Sequence, residues 1–162
     1  MAKISTKTIA RIAAIQSLYQ FEINNKIASV EQLIKSTIEN YSSNHFEYLE
    51  IPKDITVKLH KQYFEDLVIF TIGNLNKIDG IIEIHLAKGW SKDSMHIALL
   101  SLLRVAIGEI LYFPEAPYRV IINEYTNIAS DIAKASEISF VNSLLDTVSA
   151  EYRPDDVKND KI

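Results

Sequence analysis

The chain has 162 residues, of which 48% are hydrophobic and 23% are charged, and its formal net charge at pH 7 is −4. This composition is typical of one globular domain, and the absence of cysteine excludes disulfides, thiolate metal sites and cysteine nucleophiles. No stretch is apolar for long enough to span a membrane, and the N-terminus lacks the apolar segment and cleavage site of a signal peptide. We therefore expect a cytoplasmic protein with a single domain.

The first helical stretch carries an uneven share of the charge. Residues 1–20 contain three cations, Lys3, Lys7 and Arg11, and no acid, so residues 21–162 carry a net charge of −7. A helical period over residues 5–23 places these cations opposite an apolar face that includes Ile9, with a basic edge exposed to solvent. Such an asymmetry indicates either an arm for an anionic partner or a solvated helix edge, and the pattern alone leaves both open.

Helical spacing of apolar residues continues along the rest of the chain. A second helix is predicted from an N-cap at Ser29 to about Tyr41, followed by a connection over residues 42–54. The remaining predicted helices cover residues 55–72, 74–90, 94–113, 118–134 and 137–151. We expect a cap at Asp93 or Ser94 for the helix over 94–113, Pro117 as the first residue of the next helix, and a cap at Ser136 for the last one. The polar tail should fray.

These patterns predict an all-α fold of about seven helices, because no paired alternating runs indicate β-hairpins. The clearest break lies near residues 87–93. We therefore expect a single domain over residues 1–162, with an N-terminal sub-bundle (about 1–87), a C-terminal sub-bundle (about 93–151) and a polar tail (152–162).

The sequence holds no recognisable motif of catalysis or cofactor binding. Its four histidines are not spaced as metal ligands, and its four glycines form neither a phosphate-binding loop nor a dinucleotide fingerprint. No Gly-x-Ser-x-Gly motif occurs, whereas paired catalytic carboxylates assemble in space and leave no signature in the sequence. We expect no enzymatic activity, no metal and no cofactor.

Polar side chains interrupt the very apolar helix near residues 98–113. Ser101, Arg104 and Gly108 share one face, which indicates either close approach by another helix or a partner, or a core arginine that donates to helix C-terminal carbonyls. Glu109 falls among apolar residues, and a buried carboxylate needs hydrogen-bond donors. The free N–H groups at the start of the helix after Pro117 are the donors that we expect.

Four motifs occur in order between about residue 7 and residue 148: "RIAAIQSLYQFE" after basic residues, then "LLRVAIGEIL", "PYRVIINE" and "FVNSLLD". Together they resemble the NusB family of bacterial transcription antitermination factors. The resemblance implies an all-α fold of two packed three-helix sub-bundles, which agrees with the helices predicted above.

The resemblance also implies a function in transcription. NusB-like proteins bind the boxA element of nascent ribosomal RNA as a single strand, together with the small-subunit ribosomal protein NusE. The complex joins RNA polymerase and suppresses premature termination. By this resemblance, the RNA contacts are Lys3, Lys7, Arg11, Phe140 and Asn142, and the NusE-facing residues are Tyr19 and Gln16.

Departures from the family pattern keep two alternatives open. The chain opens with three spaced cations where the family often has several consecutive arginines, and Ala98 and Leu99 replace charged residues that usually precede the Leu-Arg motif. One alternative is a protein-only adaptor of this fold with little RNA affinity. The other is an RNA-recruiting partner, acting in trans, of an rRNA methyltransferase, because such enzymes carry a NusB-like domain.

Overall fold

The computed structural model describes residues 4–42, 57–86 and 91–160. Within these ranges the chain forms eight α-helices, a 3₁₀ turn (Lys92–Ser94) and no β-strand, which confirms the predicted all-α fold. The helices are α1 (Thr6–Ile23), α2 (Val30–Ser42), α3 (Lys61–Gly73), α4 (Leu75–His85), α5 (Ile97–Tyr112), α6 (Tyr118–Ala129), α7 (Ala135–Tyr152) and α8 (Pro154–Asp160). Lys3, most of the predicted 42–54 connection and residues 87–90 lie outside the described residues.

Helix α5 is the centre of the packing. All residues from Leu99 to Ile110 are buried, and α5 contacts α1, α3, α4, α6 and α7. Helix α1 contacts α2, α3 and α5. One hydrophobic core therefore includes side chains from α1 through α7, and each fully buried aliphatic side chain contributes about 1.5–3 kcal/mol. The division into two sub-bundles stays a prediction.

Histidines cap two of the helices. The Nδ1 atom of His60 accepts from the N–H of Tyr63 at the start of α3, and that of His96 accepts from the N–H of Leu99 at the start of α5. The predicted caps at Asp93 and Ser94 are wrong, because these residues belong to the preceding 3₁₀ turn. The N–H of His60 also donates to the carbonyl of Thr6 at 3.3 Å, which places the start of α3 beside the start of α1.

The close-approach interpretation of Gly108 is correct for the contact of α5 with α3. A Cβ atom built on Gly108 would lie 2.5 Å from Oγ1 of Thr71 and 3.7 Å from a methyl carbon of Ile78. Since real Cβ atoms do not approach other atoms as closely as 2.5 Å, a side chain at this position conflicts with the observed spacing of α3 and α5. The glycine therefore sets how closely α3 and α5 pack.

The C-terminal region differs from the prediction in two ways. Helix α7 begins at Ala135 with Lys134 as its N-cap, so the predicted cap at Ser136 lies inside the first turn. Residues 154–160 form α8 where fraying was expected, and Nε of Arg119 donates to Oδ2 of Asp160 at 2.6 Å. The preceding Arg153 is buried, and its guanidinium donates to main-chain carbonyls at the end of α5 and in the following turn: those of Glu109, Ile110, Phe113 and Ala116.

Candidate functional site

Exposed lysines occur where α1 and α3 begin. Lys7 is exposed in the first turn of α1, and its Nζ lies 5.1 Å from the centroid of the Tyr63 ring on α3. Lys58 and Lys61 are also exposed and flank His60, whose main chain bonds to the start of α1. We call Lys7, Lys58 and Lys61 the basic surface. Sequence reasoning missed the two lysines from α3 and its approach, because only the fold brings them beside α1.

Arg11 does not belong to this exposed surface. Only 3% of Arg11 is exposed, and its Nε and Nη2 donate to the carboxylate of Glu109 over distances of 2.7 to 3.1 Å. The predicted exposure of Arg11 is wrong because α1 directs this side chain toward α5, where a buried carboxylate neutralises it. An RNA phosphate would have to break this ion pair to contact Arg11.

Glu109 receives donors from three different helices. Besides Arg11 on α1, the hydroxyl of Tyr63 on α3 donates at 2.8 Å and that of Tyr125 on α6 donates at 2.7 Å. The predicted donors at the start of α6 are therefore wrong. A fully buried carboxylate with this many donors is well satisfied, and it joins α1, α3 and α6 to α5.

The protonation states in this cluster follow from burial and from the charge of Glu109. Burial raises the pKa of Tyr125 well above its ordinary value, and the negative charge of Glu109 adds to the effect. The same two causes raise the pKa of Tyr63. Burial alone lowers the pKa of Arg11, but its hydrogen bond to Glu109 and the charge of Glu109 raise it overall. The tyrosines therefore stay neutral donors, and the cluster holds one paired cation.

A second buried arginine is also neutralised internally. Arg104 is fully buried on α5; its Nε and Nη2 donate to the two carboxylate oxygens of Asp79 on α4 at 2.8 and 2.9 Å. Its Nη1 donates to Glu22 on α1 at 2.9 Å, and Lys92 lies 3.3 Å from Asp79. Burial alone raises the pKa of Asp79, but the hydrogen bonds and charge of Arg104 lower it. Arg104 thus has carboxylate acceptors, whereas the predicted contact with helix C-terminal carbonyls is made by Arg153.

The other predicted site residues lie on two helices. Tyr19 on α1 is 39% exposed, whereas Gln16 is half-buried and its Oε1 accepts from the hydroxyl of Tyr41 on α2 at 2.8 Å. On α7, Asn142 is exposed and Phe140 is half-buried against the core. Tyr19 and Asn142 are therefore accessible to a partner, and Gln16 connects α1 to α2. The binding roles of these four residues stay predictions.

Across residues 4–42, 57–86 and 91–160, no group of three or more acidic or histidine side chains is placed to hold a metal ion. Over the same ranges, no helix combines the length and apolar character that crossing a membrane requires.

Residues 8–150 match the sequence model of a protein family, the NusB family. The chain belongs to the NusB family. Transcription antitermination protein NusB of Rickettsia massiliae (strain Mtu5) is 39% identical over 150 residues, which cover 93% of this chain and 95% of that protein. The protein of the same name from Rickettsia bellii (strain OSU 85-389) is 41% identical over 151 residues, covering 93% and 94%.

Solved structures share the fold at lower identity. The NusB protein of T. maritima superposes with a TM-score of 0.72 at 23% identity, covering 93% of this chain and 94% of that one. A chain from the crystal structure of antitermination factors NusB and NusE in complex with dsRNA has a TM-score of 0.71 at 20% identity, covering 91% and 98%. These similarities place the chain in the all-α fold of that family.

Proposed function

We propose that this chain is a non-enzymatic, RNA-binding transcription antitermination factor. In this proposal it binds boxA-type single-stranded RNA of rRNA transcripts together with NusE, as part of the RNA polymerase antitermination complex in the cytoplasm. The observation that carries the proposal is membership of the NusB family over residues 8–150. Relatives named transcription antitermination protein NusB, and the similar fold in a complex of NusB and NusE with dsRNA, support it.

The distribution of charge supports an RNA contact at the basic surface. Residues 21–162 carry a net charge of −7, so most of the protein repels a polyanion. Lys7, Lys58 and Lys61 provide a local exception, and lysines that neutralise phosphates supply affinity that does not depend on sequence. Lys3 lies outside the described residues, and we propose it as a further phosphate contact because it precedes Lys7 by four positions in the sequence.

A protein-only adaptor remains the second candidate, and one observation favours it. Arg11 is paired with Glu109 inside the protein, so α1 offers one exposed cation within its described residues where the sequence pattern predicted two. On α1, the surface around Tyr19 is then the remaining candidate for a functional contact.

The two candidates separate in a binding experiment with purified components. A mobility shift of a labelled boxA-type RNA is measured with this protein alone, with NusE alone and with both, and a scrambled RNA serves as the control. We expect binding of NusE without RNA and a sequence-dependent shift when both proteins are present. Binding of NusE with no RNA shift under any condition would support the adaptor, and binding of neither ligand would refute both.

A further inference from the structure

A row of aromatic rings begins at Lys7 and runs along the surface where α3 meets the end of α5. The ring centroids of Tyr63 and Phe113 are 5.0 Å apart, and those of Phe113 and Phe70 are 5.9 Å apart. Phe70 stacks on Tyr112 with a centroid distance of 5.8 Å and an interplanar angle of 16°. We call Tyr63, Phe113, Phe70 and Tyr112 the aromatic row.

The far end of the row is accessible to a ligand. Tyr63 and Phe113 pack against the edge of the hydrophobic core, whereas Phe70 and Tyr112 are not part of the described core cluster. Phe70 is 42% exposed and its neighbour Ile69 is 45% exposed. The ring of Phe70 therefore offers π-surface that core packing does not use.

Charges along the row differ from one end to the other. At the Tyr63 end of the row, the Nζ of Lys7 lies over the Tyr63 ring and provides a cation that can bind a phosphate. On α3, Asp66 follows Tyr63 by three positions and precedes Phe70 by four, a spacing that puts all three on one face of the helix. The negative charge of Asp66 repels a phosphate from this part of the row. The uncharged bases of a nucleotide are therefore better suited than its phosphates to contact the rings. This arrangement fits a single strand with its backbone at Lys7 and its bases on the row.

We propose that the aromatic row is a base-stacking surface for single-stranded RNA, with Phe70 as its principal contact. The inference rests on the proposed RNA-binding function. It adds a site outside the four family motifs, since none of the four aromatic residues of the row lies within them. Successive separations of 5.1, 5.0 and 5.9 Å connect Nζ of Lys7 to the ring of Phe70. At a stacked rise of about 3.4 Å per nucleotide, at most about five nucleotides cover that path.

The test compares variants at two neighbouring positions of α3. Phe70→Ala removes the ring, Phe70→Leu keeps apolar contact without a ring, and Ile69→Ala is the matched control of similar exposure. Affinity for a single-stranded boxA-type oligonucleotide is measured at several salt concentrations in the presence of NusE. The same oligonucleotide with single abasic positions is measured in parallel, and circular dichroism checks that each variant is folded.

We expect both Phe70 variants to lose about 5- to 150-fold in affinity, the range for loss of one stacked base, while Ile69→Ala binds as the wild type does. The salt dependence should not change, because stacking releases no counterions. One nucleotide of the oligonucleotide should be the one whose base stacks on Phe70. An abasic site at that nucleotide should weaken binding by the wild-type protein and leave binding by Phe70→Ala unaltered.

Three results would overturn the inference while leaving the proposed function intact: equal affinities of Phe70→Ala and Ile69→Ala, full affinity of Phe70→Leu, or an abasic penalty that persists in Phe70→Ala. A wild-type dimer that dissociates in Phe70→Ala without loss of RNA affinity would assign the row to contact between copies and would also overturn it. If the wild-type protein binds no RNA with NusE present, the proposed function itself fails.

Discussion

Substituting Glu109 by glutamine tests whether the buried cluster holds the helices together. Arg11 is 3% exposed and Glu109 is fully buried, so the neutral variant removes the close counter-charge of a buried guanidinium and leaves only Glu124, 3.7 Å from Nη1 and partly exposed. The carboxylate accepts from Arg11, Tyr63 and Tyr125, whereas an amide has only one oxygen to accept with. Removing one member of a buried ion pair costs about 3–5 kcal/mol, which is a large part of the 5–15 kcal/mol that stabilises a typical domain.

Thermal unfolding followed by circular dichroism measures this loss. For a chain of this length, each kcal/mol shifts the melting temperature by about 2–4 °C, so we expect Glu109→Gln to lower it by roughly 6 to 20 °C. Glu115→Gln, at an exposed position in the turn after α5, is the matched control and should change little. Arg11→Met should destabilise similarly, and the double variant should be more stable than the two single losses predict by addition.

The same variants separate structure from RNA binding. Because Glu109 already neutralises Arg11, folded Arg11→Met should keep the wild-type dependence of RNA affinity on salt. The reasoning would be refuted if Glu109→Gln unfolded like the wild type and Arg11→Met flattened the slope of log affinity against log salt by about 0.7, the value for one lost phosphate contact of a single strand.

Three other substitutions test separate parts of the molecule. Lys7→Ala should weaken binding to all RNA sequences alike and flatten the slope of log affinity against log salt by about 0.7. The exposed control Lys77→Ala should leave this slope unchanged. An unchanged slope for Lys7→Ala would remove Lys7 from the RNA surface. Tyr19→Asp should weaken NusE binding in calorimetric titrations without RNA. Because the Tyr19 side chain is 39% exposed, the melting temperature of the variant should stay close to that of the wild type. Undiminished affinity for NusE would place the NusE contact elsewhere. Gly108→Ala should lower the free energy of unfolding in urea by about 1–3 kcal/mol, because the added Cβ overpacks against α3. Gly80→Ala is the control and should not destabilise the protein, because a Cβ there meets nothing within 4 Å. Similar stabilities of the two variants would contradict the close approach of α3 and α5.

Apolar periodicity was sufficient to predict the existence of α1 to α7, although not where each helix ends: α3 begins at Lys61, inside the predicted 55–72, and α6 ends at Ala129, before the predicted residue 134. The stripe on α7 is a good example: Val141, Leu144, Leu145 and Val148 are all buried as their spacing predicts. The exposed cation in the opening helix was predicted correctly for Lys7. In these regions the fold follows from a repeating pattern within one segment, and such a pattern can be read from a single sequence.

Pairings between distant segments could not be predicted in the same way. A helical projection assigns Arg11 to a basic edge, but only the fold shows that this edge faces a carboxylate on α5 and tyrosines on α3 and α6. Helix α8 is similar, because a seven-residue polar segment is too short to be helical on its own and depends on contacts such as that of Asp160 with Arg119. Periodicity identifies faces, whereas the partner of each polar group depends on the three-dimensional arrangement.

The pairing of Arg11 with Glu109 has a consequence for synthesis of the chain. The two residues are 98 positions apart, and at about 5–20 residues per second the ribosome needs about 5 to 20 s to reach Glu109 after adding Arg11. During that interval Arg11 lacks its carboxylate partner, and the nascent α1 segment carries the full set of cations that the sequence displays. The emerging chain is thus more basic at its start than the finished protein, and it loses one exposed charge only when α5 folds against α1.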